Sequence, residues 1–349
     1  MRPEVNDRFA QRLCAPVRYG ASQDELGEAT SRAIAPIIAH DAVNLAGVSP
    51  ATSFSYWAFG FAHEYAADLM RAQMRNVYAG NDPALPEDLL ARPIPAAVLG
   101  TDGGGRRDRT TRKLLEAHGV GSELRVVLRD SRGLWGILEL LRTSGGRSFD
   151  DQDMMRAVQL TPAFIAFLRR YVTAGPLSPS VPSPPPGVII VGADNTVRAI
   201  TSRGWLGRLD AAAQVPAWMV GSITSGLAIQ ARKHARYPGA PPALLVGPAA
   251  AYGRWIAVHG QPLEGCTPGE VAIVIQVASG DLLLPSLCDW YEITGRERQI
   301  IKHLCAGAAP KHIARMLNLS THTVNDHLKA VYRKTGADGR DELIAALTP

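Results

Sequence analysis

Cysteine is scarce in this chain, and the four it has, Cys14, Cys266, Cys288 and Cys305, lie far apart. No two form a C-x-x-C pair and none sits among histidines at metal-ligand spacing. Neither a disulfide framework nor a zinc site is therefore indicated, and free, partly buried thiols are expected. Long apolar runs are lacking too. No stretch reaches the roughly 20 residues that a membrane-crossing helix needs, and Met1 to Val17 is charged, without the apolar run of a signal peptide. The expectation is a cytoplasmic protein with no membrane partner. No nucleophile, base and orienting group stand together as a catalytic set, and Gly103-Gly104-Gly105 lacks the spacing of a phosphate-binding loop. No catalytic residue, metal or cofactor is expected.

What is present describes an ordinary globular chain, 46% hydrophobic and 20% charged. At 349 residues it exceeds what one hydrophobic core usually serves, so two or three domains are expected. The net charge of +5 permits a nucleic-acid partner without requiring one. One composition break stands out. Residues 173–187 read TAGPLSPSVPSPPPG, with six prolines in fifteen positions. Such density forbids helix interiors and central strands and favours extended segments, so this reads as a linker, with a long surface loop as the alternative.

The first block, 1–172, opens with helical patterning. Phe54, Trp57, Phe61 and Tyr65 recur at helical spacing and predict one aromatic helix face, serving as core, dimer interface or ligand wall. Glu123 to Val127 and Leu134 to Leu141 predict strands joined by the turn Asp130-Ser131-Arg132-Gly133. Phe149 to Tyr171 predicts a helix capped by Asp150 or Asp151. The second block, 188–284, predicts a hairpin at 188–201, further strands at 243–246, 253–260 and 270–277, and a short helix between 217 and 235. Both blocks read as α+β.

The third block, 285–349, is helical by pattern. Thr294-Gly-Arg-Glu297 is a capping box that starts a first helix, with Ile300, Ile301 and Leu304 as its apolar stripe and Gly307 as its stop. Pro310 suits the first turn of a second helix, and Ile313, Met316 and Leu317 should face inward. Ser320 caps a third, with Val324, Leu328 and Val331 as its buried side and Gly336 as its end. Asp338 can cap a fourth, whose Leu343, Ile344 and Leu347 are apolar. Two short helices joined by a tight turn, the second with exposed Asn, Lys and Arg, match the geometry of a major-groove reader. Between Lys311 and Arg340 six Lys or Arg stand against two acidic residues. On spacing alone, a helical docking domain with solvated basic residues fits as well.

The strings ITGRERQII, the glycine of LCAG, KHIARMLNLSTHTVNDHLKAVYRKTGA and RDELIAAL, within 293–347, resemble the LuxR/GerE-type helix-turn-helix family. The resemblance implies that Asn325, Asp326 and Lys329 face base edges. It implies that Lys311, Thr323, His327, Arg333, Lys334 and Arg340 contact or approach phosphates, with a packed, positioning histidine as the alternative for His327. Glu297 looks structural. The chain departs from the family at Ala309-Pro310-Lys311-His312, where a cap and an acidic partner are usual, and at Gly339, where serine is common. Ahead of this region, HGVGSELRVVLRDSRGLWGILELLR followed by FDDQD resembles a GAF-like sensor, and 187–280 resembles a degenerate PAS-like domain. VIIVGADN at 188–195 resembles the start of a receiver domain but lacks the acidic pair that would hold a metal.

The implied protein is multidomain: an α+β GAF-like sensor at 1–172, the Pro-rich linker at 173–187, an α+β PAS-like domain at 188–284, and an all-α tetrahelical helix-turn-helix domain at 285–349. Its implied role is a bacterial, nucleoid-associated, one-component transcription regulator that binds double-stranded DNA, expected as a homodimer through Leu343, Ile344 and Leu347 or through its sensor domains. RNA polymerase and a small-molecule ligand are further partners such a regulator allows. An autoinducer receptor, weakly suggested by YAGNDPAL, and a protein-interaction scaffold with a non-DNA-binding tail are the alternatives.

Overall fold

The computed structural model describes residues 3–48, 50–52, 58–101, 104–175, 177, 185–201, 217–265 and 267–348. Two five-stranded antiparallel sheets precede a helical C-terminal region. The first contains β1 (Ala42–Gly47), β2 (Phe59–His63), β3 (Ala96–Leu99), β4 (Val120–Asp130) and β5 (Gly133–Thr143), in the order β2-β1-β5-β4-β3. The expected hairpin forms: β4 and β5 turn through Ser131 and Arg132, with Asp130 paired to Gly133.

Both faces of this sheet are buried, and β1 is buried at every position. Val43 and Leu45 point to one side with Leu124, Val126 and Leu138, and there they meet Phe9 and Leu13 of α1 (Pro3–Cys14), Leu26 and Ile34 of α2 (Gln23–Ile34), and Phe164 and Leu168 of α7 (Thr161–Thr173). Ala42 and Ala46 point the other way with Val127, toward Leu69 and Met70 of α3 (Ala67–Tyr78), Leu89 of α4 (Pro86–Ala91) and Leu115 of α5 (Arg106–Ala117). Alternation along a pleated strand produces this division. Helix α2 crosses β2 so closely that a Cβ on Gly27 would stand 2.1 Å from the Ala62 carbonyl oxygen. Asp150 caps α6 (Asp151–Gln159) as expected, accepting from the Asp153 amide at 2.9 Å. The predicted single helix is broken at Leu160, just before Pro162, because a proline stays at a helix start rather than its interior.

The aromatic helix expected over 54–65 does not form across its described part, 58–65. Phe59–His63 is a strand, with Phe59 and Phe61 alternating with Gly60 and Ala62. Phe61 packs edge-on against Phe167 and Tyr171 at 5.3 and 4.8 Å between ring centres. Pairing with β1 fixes a period of two here, and it overrides the spacing of the aromatics. Phe54 and Trp57 lie outside the described residues.

The second sheet contains β6 (Gly187–Val191), β7 (Val197–Ile200), β8 (Leu244–Gly247), β9 (Ile256–Pro262) and β10 (Val271–Val277), in the order β7-β6-β10-β9-β8. Counted within each unit, this repeats the first sheet: second, first, fifth, fourth, third strand. The helix expected to be short is α8, Ala217–Arg236, 20 residues long. Its Leu227, Ala228 and Ala231 join the core formed by Ile189, Val258 and Ile273. Arg232 ties it to the sheet's turns, donating to the Gly192 and Gly269 carbonyls at 2.7 Å each. A short helix, α9 (Ala249–Tyr252), follows β8, and the Tyr252 hydroxyl donates to the Ala58 carbonyl of the first unit at 2.6 Å.

Five helices close the chain: α10 (Gly280–Trp290), α11 (Gly295–Cys305), α12 (Pro310–Met316), α13 (Thr321–Thr335) and α14 (Arg340–Leu347). Helix α10 runs across the position between 284 and 285, with Pro285 inside it. Its Trp290 is 1% exposed and meets Trp135 edge-on at 5.0 Å and Phe59 at 5.8 Å, so the helical region is anchored on the first sheet. No helix among the described residues is long and apolar enough to cross a membrane.

Candidate nucleic-acid interface

Helices α11 to α14 build one small unit from their apolar faces. Ile300, Ile301 and Leu304, Ile313 and Ala314, Val324, Leu328 and Val331, and Leu343 and Leu347 are its buried residues. Met316, expected to face inward, is 44% exposed. The capping box at the start of α11 is closed in both directions, with the Glu297 amide donating to the Thr294 hydroxyl at 3.3 Å and the Thr294 amide to the Glu297 carboxylate at 2.7 Å. Gly307 at φ +84° ends that segment. Helix α12 has Pro310 in its first turn and no side-chain cap at Ala309, the position of the noted departure. Asn318, in the left-handed region at φ +52°, turns the chain toward α13. Ser320 caps α13, its hydroxyl accepting from the Thr323 amide at 3.0 Å, and Gly336 at φ +73° ends it. Asp338 does not cap α14; Gly339 is its N-cap, without a side-chain bond, and the Asp338 amide donates to Glu342 at 2.7 Å.

This arrangement leaves one side of α13 open. Asn325, Asp326, Lys329 and Arg333 are exposed along it, and Lys311 is exposed in the first turn of α12. Thr323, His327 and Arg340 are half-buried. The Thr323 hydroxyl lies 2.8 Å from that of Ser320, so it already shares a bond at the helix start. His322, which the sequence reading passed over, brings its Nε2 within 3.4 Å of the Asp326 carboxylate one turn on. Its i,i+4 spacing was the available signal.

Lys334 behaves differently from the other cations expected at phosphates. Its ammonium donates to the Glu297 carboxylate at 2.7 Å and to the Glu292 carbonyl at 2.9 Å. The Glu297 side chain is 5% exposed, and although burial opposes its charge, the bonds from Lys334 and from the Thr294 amide hold its carboxyl below the usual range. Glu292 sits in the left-handed region at φ +53°, and its carboxylate meets Arg169 of α7 at 3.0 Å. The Arg169 guanidinium also lies over the Trp135 ring at 4.7 Å. A continuous line of polar contacts therefore joins α7 in the first unit to the C-terminal end of α13. The apolar face of α14 is largely used within the unit: Leu343 and Leu347 are buried and Ile344 half-buried.

A second polar cluster, unanticipated from the sequence, lies inside the first unit on the side covered by α3. Arg125, 2% exposed, pairs with Asp82 at 3.0 Å, Glu123 at 2.8 Å and Glu139 at 3.3 Å. Asn44 donates to Glu139 at 2.7 Å, Gln73 to Glu123 at 2.7 Å, and Tyr65 to Gln73 at 2.8 Å. Tyr65 and Phe61 are thus interior residues, Tyr65 in this network and Phe61 in the apolar core. Burial pushes the Glu123 carboxyl up to about 7, with Arg125 opposing and Glu139 and Asp82 adding to the rise. These side chains nearly fill the interior: the cavity between Gln73, Arg125 and Glu139 measures about 20 Å³, space for about one water. The signal was the alternation of charge within otherwise apolar strands, at 123 and 125 in β4 and at 139 in β5. Cys14, Cys288 and Cys305 are free, and burial raises all three thiols. Among the described residues no group of three His, Cys, Asp or Glu could hold a metal ion.

Residues 292–347 match the family described as "Bacterial regulatory proteins, luxR family". Over 54 residues the chain is 39% identical to the Escherichia coli (strain K12) protein named "Putative HTH-type transcriptional regulator YhjB", which is 16% of this chain and 27% of that one. The chain thus spans about a quarter of the length of this curated relative. Among solved structures, Escherichia coli SdiA is similar at a TM-score of 0.29 and 13% identity, over 88% of this chain and 82% of that one. The photosensory core module of Stigmatella aurantiaca phytochrome is similar at 0.29 and 15%, over 84% and 52%. Such scores lie below those of chains that share a fold.

Proposed function

Residues 292–347 being a luxR-family helix-turn-helix domain, we propose that the chain is a sequence-specific, DNA-binding transcription regulator of the one-component kind, its two sheet units acting as sensors. One observation carries this reading. Helix α13 is capped at both ends, is buried through Val324, Leu328 and Val331, and presents Asn325, Asp326, Lys329 and Arg333 to solvent with no apolar residue among them. A single α-helix of that kind fits the B-DNA major groove, with its N-terminal residues at base edges. Asn325, Asp326 and Lys329 are the base-facing set in this proposal. Lys311, Thr323, His327, Arg333 and Arg340 are the phosphate-facing set, and Lys334 is the structural tie that keeps α13 on α11. The strand order shared by the two sheets supports reading the front of the chain as a GAF-like unit followed by a PAS-like one. One such helix reads few base pairs, so a homodimer on two half-sites is proposed. Since Leu343 and Leu347 are already buried, the sensor units are the better source of its interface.

The test is binding of the full chain to a duplex selected from a random pool, and to an unrelated duplex, across a salt series. Arg333→Ala should weaken both complexes and lower the slope of log K against log salt by about one unit, for one lost phosphate contact. Asn325→Ala should leave the slope in place and cost about 1–3 kcal/mol on the selected duplex only. Binding of neither duplex at low salt by the folded chain refutes the proposal.

A further inference from the structure

Between the two sheet units lies a cavity of about 430 Å³, within the range of small-molecule sites and far larger than the 20 Å³ left inside the first unit. Its walls come from both units. Leu85, Leu90 and Leu134 of the first and Ile229 of α8 supply apolar surface, while Gly80, Gly133 and Gly226 contribute backbone only. The units meet tightly beside it, since a Cβ on Gly226 would stand 2.0 Å from the Tyr78 hydroxyl oxygen. The polar side chains in its lining are Glu87 and Lys233, 3.7 Å apart and about half exposed, with Arg132, Gln230 and Tyr78. Among the charged side chains in the lining, two cations, Lys233 and Arg132, stand against one carboxylate, Glu87. The Glu87–Lys233 pair is long and exposed, a weak interaction, so a second anion can displace it readily.

We infer that this cavity binds a small amphipathic molecule with an apolar body and a single anionic head, a carboxylate or a phosphate monoester, held at Lys233 and Arg132. The inference rests on the reading of the front two-thirds as a sensor and gives that sensor its site and ligand class. It also gives occupancy a route outward. Arg132 lines the cavity and donates to the Asp289 carbonyl at 3.3 Å, near the C-terminal end of α10, three residues before Glu292. A head group that engages this guanidinium competes with that bond, at the segment leading into the DNA-binding helices.

The test is equilibrium binding of the full chain to four ten-carbon probes below their micelle-forming concentrations: decanoate, decyl phosphate, decanol and decyltrimethylammonium. Expected is saturable binding of one anionic probe per chain, at least tenfold tighter than decanol, with no binding of the cation. The tighter of the two anions identifies the head group. Lys233→Ala, a change at a half-exposed site, should bring the anion's affinity down to that of decanol. Ile229→Trp, filling the cavity, should abolish binding of both. Equal affinity for anion and alcohol, unchanged binding in a folded Ile229→Trp variant, or an anion preference that survives Lys233→Ala overturns the inference, as does absence of saturable binding. A DNA titration on the same samples keeps the two readings apart. Intact DNA binding without probe binding removes this site alone, and probe binding without DNA binding removes only the DNA reading.

Discussion

Replacing Lys334 by alanine should unfold before it should unbind. The ammonium satisfies the nearly buried Glu297 carboxylate together with the amide and side chain of Thr294. Its loss leaves a buried charge with Thr294 alone as its neutral partner and the Glu292 carbonyl without this donor. Removing one partner of a fully buried pair costs about 3–5 kcal/mol. The Lys334 side chain is 25% exposed, so water partly replaces it, and about 1–3 kcal/mol is the better expectation. Hydrogen exchange on the full chain reads this directly. Amides of α11 and α13 that exchange through opening of this unit should lose protection by about 5- to 150-fold, at tenfold per 1.4 kcal/mol. The pH dependence supplies a second reading. A carboxyl held low in the folded state contributes stability above its unfolded value, and that contribution is lost as pH falls through the lower folded value. The wild-type protein should lose protection in α11 on acidification below about pH 4.5, and Lys334→Ala should show a smaller change. The DNA-binding slope against log salt should stay where it is in the residual folded protein. Unchanged protection in Lys334→Ala together with a slope lowered by one unit would refute this reasoning, because the lysine would then be spending its charge on phosphate.

Three further outcomes are expected. Trp290→Ala removes an indole packed against Trp135 and Phe59 and should destabilise by about 3–5 kcal/mol; proteolysis should then cut between the sheet units and α11 sooner than in wild type. Glu123→Gln should flatten the pH dependence of stability between about 4.5 and 7: with the folded carboxyl raised, the native state holds the proton longer, so the wild-type protein loses stability as pH rises through that window in chemical denaturation, whereas the glutamine variant should not. Gly226→Ala, usually favourable within a helix, should here lower the thermal midpoint, because the new methyl has the Tyr78 hydroxyl in its place; a raised midpoint would mean that the two units separate freely.

What could be read from the sequence is mostly what short-range chemistry decides. The capping box at Thr294, the serine before α13, the glycines after it and the turn at Ser131-Arg132 act over a few residues, and each appears where its residue types require. The errors have longer reach. Phe54, Trp57, Phe61 and Tyr65 have helical spacing, yet β1 claims the segment 59–63 as its neighbour, and the competing alternation in Phe59-Gly60-Phe61-Ala62 was the truer local signal. Lys334 sits in the last turn of a basic helix, where solvent or phosphate is the natural expectation. Its acceptor is 37 residues away in sequence, on a helix whose own cap had already accounted for Glu297. The cluster around Arg125 joins residues from six segments, and its members look solvent-facing until strand pairing turns them inward. A cavity formed by α4, the β4–β5 turn and α8 exists only once the two units are packed, so no local pattern announces it.

The repeated strand order has a consequence for how the chain reaches its native state. In each unit the first strand lies beside the fifth, and in the first unit Ala42–Gly47 pairs with Gly136–Leu141. The central ladder of that sheet therefore closes a loop of 95 residues between Asn44 and Glu139, and such distant pairing is slow because closure entropy comes before any reward. During synthesis, β1 and β2 leave the ribosome long before β5, and at about 5–20 residues per second they wait on the order of 5–20 s for the strand that completes them. The second unit repeats the delay, since β6 waits for β10. The helices α11 to α14, by contrast, use contacts close in sequence and can form as soon as they emerge. The helical region is made after both sheet units and can fold fast, while each sheet unit ahead of it must hold its opening hairpin until its final strand arrives.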